Sequence, residues 1–111
     1  MLLKNKNIIL TGSSGILGSK LSQKLLDEGA NIALIDIDKT GLVNLKKNLK
    51  IKNDQKVIIF NIDITYEEDV KRTISEVYSI FGSIDVLFNN AASKGPSIEK
   101  FLAPFEDYEI S

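Results

Sequence analysis

Three glycines in the segment Thr11–Gly18 (TGSSGILG) are the feature of this chain best suited to bind a ligand. They follow the apolar run Ile8–Leu10 and precede a helix-like pattern over residues 17–28. A strand that ends at a glycine turn and continues as a helix brings backbone N–H groups and a helix N-terminus to one point, which attracts phosphate. Ser13 and Ser14 are small enough to let a phosphate approach the backbone, but they would equally suit an N-cap in a plain strand–helix turn.

A carboxylate follows the next apolar run. Asp36 ends the run Ile32–Ile35, and it lies about 20 residues beyond the glycines. An acidic side chain at this distance is where a dinucleotide-binding unit contacts a ribose hydroxyl. Its charge would repel a 2′-phosphate, so Asp36 favours NAD over NADP as the cofactor. The alternative is that Asp36 only begins a turn or caps the following helix.

The composition excludes several other kinds of site. Without cysteine or histidine, the chain cannot form a disulfide framework, a zinc–thiolate site or a Ser-His-Asp triad. The net charge is −1 and the charges are scattered, so we expect no nucleic-acid partner. No apolar run approaches the ~18 residues that span a bilayer, and the N-terminus does not resemble a secretory signal. We expect no metal site, no membrane contact and a cytoplasmic location.

Four apolar runs predict strands, and they are continuous, as in parallel strands covered on both faces. The strands are predicted at Asn7–Thr11, Asn31–Asp36, Val57–Ile62 and Ile84–Asn89. Right-handed crossovers then predict an α/β fold, a doubly wound parallel sheet of the Rossmann type with strand order 3-2-1-4. We expect residues 1–111 to be a single domain that lacks strands 5 and 6. Strand 4 would then have an unpaired outer edge, and the isolated chain would be marginally stable and prone to associate.

Three apolar stripes at helical spacing predict the intervening helices. Their inner faces are predicted to be Leu17, Leu21 and Leu25; then Leu42, Leu45 and Leu49; then Val70, Ile74, Val77 and Phe81. Gly29 and Gly82 are predicted to end the first and third helices, and Asp38 to cap the second. Thr65 and Glu68 have the spacing of a capping box for the third helix. Residues 104–111 predict the start of a further helix.

These residues resemble the short-chain dehydrogenase/reductase family, from about residue 5 to residue 92. The glycine run is similar to that family's cofactor loop, and Asp36 matches the acidic residue that closes strand 2. Asp63-Ile64 is similar to the family's adenine-contacting pair. Asn89–Ala92 (NNAA) is similar to its Asn-Asn-Ala-Gly motif, which lies beside the nicotinamide ribose. The resemblance implies cofactor contacts at Gly12, Ser14, Gly15, Ile16, Gly18, Asp36, Asp63, Ile64, Asn90 and Ala91.

The resemblance also implies hydride transfer between a nicotinamide cofactor and a small carbonyl or alcohol substrate in the complete protein. The family's catalytic Ser and Tyr-x-x-x-Lys have no match in these 111 residues, so we assign no catalytic residue and expect the segment alone to be inactive. Whether the protein forms a homo-oligomer stays open. Two alternatives also stay open. One is a non-catalytic nucleotide-binding module. The other is a relative of the extended branch, which includes nucleotide-sugar epimerases and dehydratases and in which the spacing Gly-x-x-Gly-x-x-Gly is typical.

Overall fold

The structure is a computed structural model that describes residues 2–90 and a two-residue strand at 109–110. Strands and helices alternate along the described chain, in the order β1 (Asn7–Thr11), α1 (Ile16–Asp27), β2 (Asn31–Asp36), α2 (Lys39–Asn48), β3 (Val57–Asn61), α3 (Glu67–Phe81), β4 (Val86–Asn89) and β5 (Glu109–Ile110). All neighbouring strands pair in parallel, in the order β3-β2-β1-β4-β5. The predicted doubly wound order 3-2-1-4 is confirmed.

The sheet is covered on both faces in the part of the chain described, which explains the continuous apolar strands. Every residue of β1 is buried. Because successive side chains of a strand point to opposite faces, Ile8 and Leu10 pack in a core with α1 and α2, whereas Ile9 packs in a second core with α3. Helices α1 and α3 therefore lie on opposite faces of the sheet.

Most of the predicted helix features are found. Gly29 and Gly82 have φ angles of 99° and 85° and follow α1 and α3, as the prediction requires. Asp38 caps α2, since its Oδ1 accepts a hydrogen bond of 3.0 Å from the Gly41 N–H. The predicted inner faces are buried or half-buried, except that Leu17 is 66% exposed. Leu17 lies in the first turn of α1, before the helix reaches the core.

The predicted capping box of α3 is wrong. The N-cap of α3 is Tyr66, which makes no side-chain capping bond. The N–H and the hydroxyl of Thr65 donate instead to Oδ1 of Asp63, at 2.9 and 2.7 Å. Thr65 therefore belongs to the turn that follows β3, and the helix begins two residues later at Glu67.

The tail also departs from the prediction. Residues 109–110 form β5 rather than part of a helix, and they pair with Val86 and Leu87 of β4. The outer edge of β4 is therefore partly paired, which removes part of the reason to expect association. The rest of the predicted tail helix lies outside the described residues. None of the described helices has the length and apolar character needed to cross a membrane.

Candidate functional site

The site predicted from the sequence lies at the carboxyl end of the sheet. The chain leaves β1 through α1 on one face and enters β4 from α3 on the other face. The strand order therefore reverses between β1 and β4, and at such a reversal a crevice opens at the carboxyl ends of the strands. The glycine loop follows β1 directly. Asn89 is the last residue of β4, and Asn90 follows it at the same end of the sheet.

The glycine loop is held against the sheet from several sides. Gly12 has a φ of 64°, a conformation that favours glycine. Its carbonyl accepts hydrogen bonds of 3.3 Å from the Gly15 N–H and from Nδ2 of Asn90. A Cβ atom on Gly18 would lie 2.3 Å from that same carbonyl oxygen. Only a glycine at position 18 lets the first turn of α1 rest this closely on the loop.

The N-terminus of α1 is open to an anion. Its N-cap is Gly15, which is exposed and offers no side-chain cap, and its first turn contains no acidic residue. The first N–H groups of a helix have no partner within the helix and carry a partial positive charge. The other two described helices compensate this charge: Asp38 caps α2, and the first turn of α3 is acidic at Glu67, Glu68 and Asp69. In the described part of the chain, α1 is the helix best suited to bind a phosphate.

Asp36 is fixed at the end of β2 by the glycine loop. Its Oδ2 accepts hydrogen bonds from the N–H and the hydroxyl of Ser14, at 3.0 and 2.7 Å, and its Oδ1 accepts one of 2.9 Å from the Asp38 N–H. Asp36 therefore does not cap α2. Partial burial acts to raise the pKa of Asp36, but these hydrogen bonds, with one from the Ile37 backbone, together hold that pKa below its ordinary value of 3.8. The side chain is a carboxylate at neutral pH.

Asp63 and Ile64 follow β3, next to β2 in the sheet. Hydrogen bonds from the backbone and the hydroxyl of Thr65 lower the pKa of Asp63. Asp63 is therefore also ionised, and its contacts are those of a turn. The Ile64 side chain is half-buried and packs against the core on the α3 face. Its side chain therefore has a structural role.

The remaining predicted residues lie around the crevice. Ile16 is 83% exposed at the start of α1, beside the glycine loop. Asn90 is half-buried and holds Gly12 as described above, and its neighbour Asn89 accepts a hydrogen bond of 3.1 Å from the Thr11 hydroxyl. Ala91 lies outside the described residues.

Two residues of this region were not predicted. Thr11 joins the ends of β1 and β4 through its hydroxyl. Gly41, in the first turn of α2, lies against the glycine loop: a Cβ there would be 2.8 Å from both Cβ and Oγ of Ser14. The only signal in the sequence was a glycine just inside a helix, where it is unfavourable without a packing reason.

A comparison with protein-family models matches residues 6–109 of the chain to the family described as short chain dehydrogenase. The chain belongs to this family. The diacetyl reductase [(S)-acetoin forming] of Staphylococcus epidermidis is 34% identical over 87 residues, which are 78% of this chain and 34% of that protein. The chain spans about a third of the length of the curated relatives that it matches.

Solved structures of this family have the same fold. The structure of an NAD⁺-bound xylitol dehydrogenase superposes with a TM-score of 0.77 at 32% identity, over 86% of this chain and 36% of that one. A 3-ketoacyl-(acyl-carrier-protein) reductase from Brucella melitensis, complexed with NADH, gives a TM-score of 0.68 at 26% identity, over 78% of this chain and 34% of that one.

Proposed function

We propose that this chain is the NAD-binding part of a short-chain oxidoreductase. The observation that carries the proposal is the uncompensated N-terminus of α1 at Gly15, beside the carboxylate of Asp36. A dinucleotide needs both features, since its pyrophosphate is an anion and its adenosine ribose offers hydroxyl donors. The NAD⁺ and NADH in the two solved relatives support the same cofactor.

Each predicted residue then has a place along the cofactor. The loop from Gly12 to Gly18, with Ser14 and Gly15 between them, would bind the pyrophosphate through backbone N–H groups. Asp36 would accept the hydroxyls of the adenosine ribose. We assign the adenine to Asp63 and Ile64, and the nicotinamide ribose to Ile16, Asn90 and Ala91.

The bound nicotinamide would supply or accept a hydride at a carbonyl or alcohol carbon. The residues of this chain bind and orient the cofactor, and none of the 111 matches the proton-transferring tyrosine and lysine that the family uses. General acid–base catalysis contributes about 10²–10⁴-fold, so we expect no NADH-linked turnover of a carbonyl by the 111-residue segment. Measurable turnover by the purified segment would refute this expectation.

A calorimetric titration with NAD and with NADP tests the proposal. We expect NAD to bind more tightly than NADP, because Asp36 repels a 2′-phosphate. In the variant Gly15→Val, NAD affinity should fall more than about tenfold, since a side chain would cover the exposed backbone at the N-terminus of α1. The fold should survive, because a Cβ at Gly15 meets only the Gly12 carbonyl oxygen, at an ordinary 3.5 Å.

The matched control is Ser75→Val, which adds the same side chain to an exposed position on α3. It should bind NAD as the unmodified protein does. Absence of NAD binding by the unmodified protein, or equal affinity for NADP, would contradict the proposal.

A further inference from the structure

The outer edge of β3 is unpaired in the described part of the chain. β3 is the last strand on its side of the sheet, and it pairs there with β2 alone. The Ile32 N–H donates to the Lys56 carbonyl at 3.0 Å. Because the backbone groups of successive residues point to alternate sides of a strand, Ile58 and Phe60 also face β2. The N–H and C=O of Ile59 therefore point outward, where a further strand can pair with them.

An apolar groove lies beside this edge. It has a volume of about 380 Å³ and is lined by Val43, Lys46 and Lys47 of α2, by Ile51 and by Ile59 of β3. Val43 and Ile51 are 46% and 37% exposed. Ile59 is half-buried, and it packs on the face of the sheet that α2 covers. Side chains on neighbouring strands contact each other across one face, so a strand added at this edge can place an apolar side chain in the groove.

The groove lies in a basic part of the chain. Residues 39–52 contain five lysines and no acidic residue, although the whole chain has 14 basic and 15 acidic residues. Lys46 and Lys47 are exposed, and within residues 2–90 neither forms an ion pair. The stem of a lysine can pack along apolar surface while its ammonium group stays in water. The surface thus fits a partner with an apolar side chain for the groove and acidic side chains beside it.

The same charges disfavour a second copy of this chain as the partner. Antiparallel pairing of two β3 edges would place the α2 helices of both copies side by side on one face, so their lysines would repel. Lysines near an edge strand commonly prevent such pairing between like edges. A strand with acidic side chains meets attraction at the same place.

We propose that the β3 edge and this groove form a docking site for an extended acidic segment of a partner protein. The segment adds a strand to β3 and places one β-branched apolar side chain between Val43 and Ile59. Its residues two positions to either side are acidic and face Lys46 and Lys47, since side chains two residues apart share one face of a strand. The site uses no residue that we assign to the cofactor, so it goes beyond the proposed function and does not depend on it.

A synthetic peptide tests the proposal by fluorescence polarisation. The probe is labelled Thr-Glu-Thr-Val-Thr-Glu-Thr, whose Glu and Val side chains lie on one face when the peptide is extended. Replacing both Glu by Lys should weaken binding about tenfold or more, because two ion pairs become like-charge contacts. Replacing Val by Ser should weaken it about fivefold, because the groove is left without an apolar side chain. Absence of binding, or equal binding of the Lys peptide, would overturn the proposal.

Variants of the protein locate the charge effect. Lys46→Glu with Lys47→Glu should weaken binding of the probe about tenfold or more. The matched control is Lys20→Glu with Lys24→Glu, which makes the same change in net charge at two exposed positions of α1. The control should change the affinity less than about twofold. Equal losses in the two variants would indicate a general attraction between charges and would overturn the proposal.

A second pair of variants tests the groove. Val43→Ser removes part of its apolar wall and should weaken binding of the probe about threefold. The control is Ile80→Ser on α3, since Ile80 is exposed to a similar extent, 43%. This control should bind the probe as the unmodified protein does. An equal effect of the two substitutions would contradict the assignment of the groove.

Hydrogen exchange at single amides tests the strand pairing. When the probe is bound, the Ile59 N–H should exchange about tenfold more slowly or less, because it gains a hydrogen bond. The Ile58 N–H, which already faces β2, should change far less. Binding without protection of Ile59 would overturn the added strand. Protection of Ile59 that grows with protein concentration in the absence of the probe would indicate a second copy, and binding to phosphatidylserine vesicles but not to the probe would indicate a membrane surface; either result would overturn the proposal.

Discussion

The two ends of the sheet use polar side chains in different ways. At the amino end, Asn7 is buried and joins three segments of the chain. Its Nδ2 donates to the Ser83 hydroxyl at 2.8 Å and to the Phe81 carbonyl at 3.3 Å, and its Oδ1 accepts from Asn31 at 2.9 Å. Oδ2 of Asp85 accepts from the Asn7 backbone N–H at 2.8 Å. These polar groups satisfy one another, and the network cross-links β1, β2 and the segment before β4.

At the carboxyl end, satisfied side chains surround a surface that remains open. Asp36 and Asn90 each bond to the glycine loop, yet Gly15 is exposed and α1 begins without a side-chain cap. The loop is thus held in shape while its backbone faces outward. The amino end therefore stabilises the sheet, whereas at the carboxyl end the side chains also hold exposed backbone in place, the surface to which we assign the cofactor.

The largest effect is expected from Gly18→Val. This variant tests whether, at the carboxyl end, Gly18 serves the packing of the fold while Gly15 serves the ligand. The added Cβ would lie within 3 Å of backbone atoms of Gly12 and Ser13, and backbone atoms cannot move aside cheaply. We expect a loss of about 3 kcal/mol in the free energy of unfolding. Gly15→Val should lose only about 1 kcal/mol, the usual effect of a poor N-cap residue. Urea unfolding of both variants measures this; equal losses would contradict the assignment of separate roles.

The next effect, from Asn7→Ala, tests the amino end. Removing the amide takes away the acceptor of Asn31 Nδ2 and the donor to the Phe81 carbonyl and the Ser83 hydroxyl, which keeps only its bond to Asp85. We expect this to cost about 2–3 kcal/mol. The midpoint of thermal unfolding should fall by about 10 °C or more, while the folded variant binds NAD unchanged, since Asn7 and the glycine loop lie at opposite ends of β1. Asn44→Ala, at an exposed position on α2, is the control and should change neither quantity. A weaker NAD affinity in Asn7→Ala would show that the two ends of the sheet do not act independently.

The sequence alone predicted the strands and turns that depend on local patterns. β1 and β2 have the predicted bounds because each apolar run stops at a polar residue. β3 ends one residue early and β4 begins two residues late, at Asn61 and Val86, where the predicted strand ends run into turns. Gly29 and Gly82 were predictable because the positive φ that commonly ends a helix favours a residue without a Cβ.

The rest depended on contacts between distant residues. Ser14 could be placed near a phosphate from its position, but its hydrogen bonds to Asp36 span 22 residues and depend on how β2 lies beside the loop. The importance of Gly41 depends on where α2 crosses that loop. Thr65 shows the opposite failure: its spacing to Glu68 suits a cap, but Asp63, two residues before it, offers a stronger acceptor.

The smallest effect is expected on stability in acid, and it concerns the carboxyl end alone, where Asp36 and Asp63 both lie. In each case the pKa of the folded protein lies below the ordinary value of 3.8. A carboxylate with a lowered pKa stabilises the fold fully above the pKa of the unfolded chain, and this contribution is lost as the pH falls through the folded pKa. The free energy of unfolding should therefore decrease below about pH 3.8.

Ser14→Ala removes one of the hydrogen bonds that lower the pKa of Asp36, so that pKa should rise toward 3.8. The free energy of unfolding of this variant should be slightly lower than that of the unmodified protein at pH 7. As the pH falls below about 4, it should decrease less than that of the unmodified protein. Because Asp36 is only partly buried, we expect a difference below about 1 kcal/mol. Unfolding in urea at a series of pH values measures it, with Ser19→Ala as the control because its hydroxyl does not contact Asp36. Parallel pH curves for Ser14→Ala and the unmodified protein would mean that the Ser14 hydroxyl does not stabilise the ionised form of Asp36 in solution.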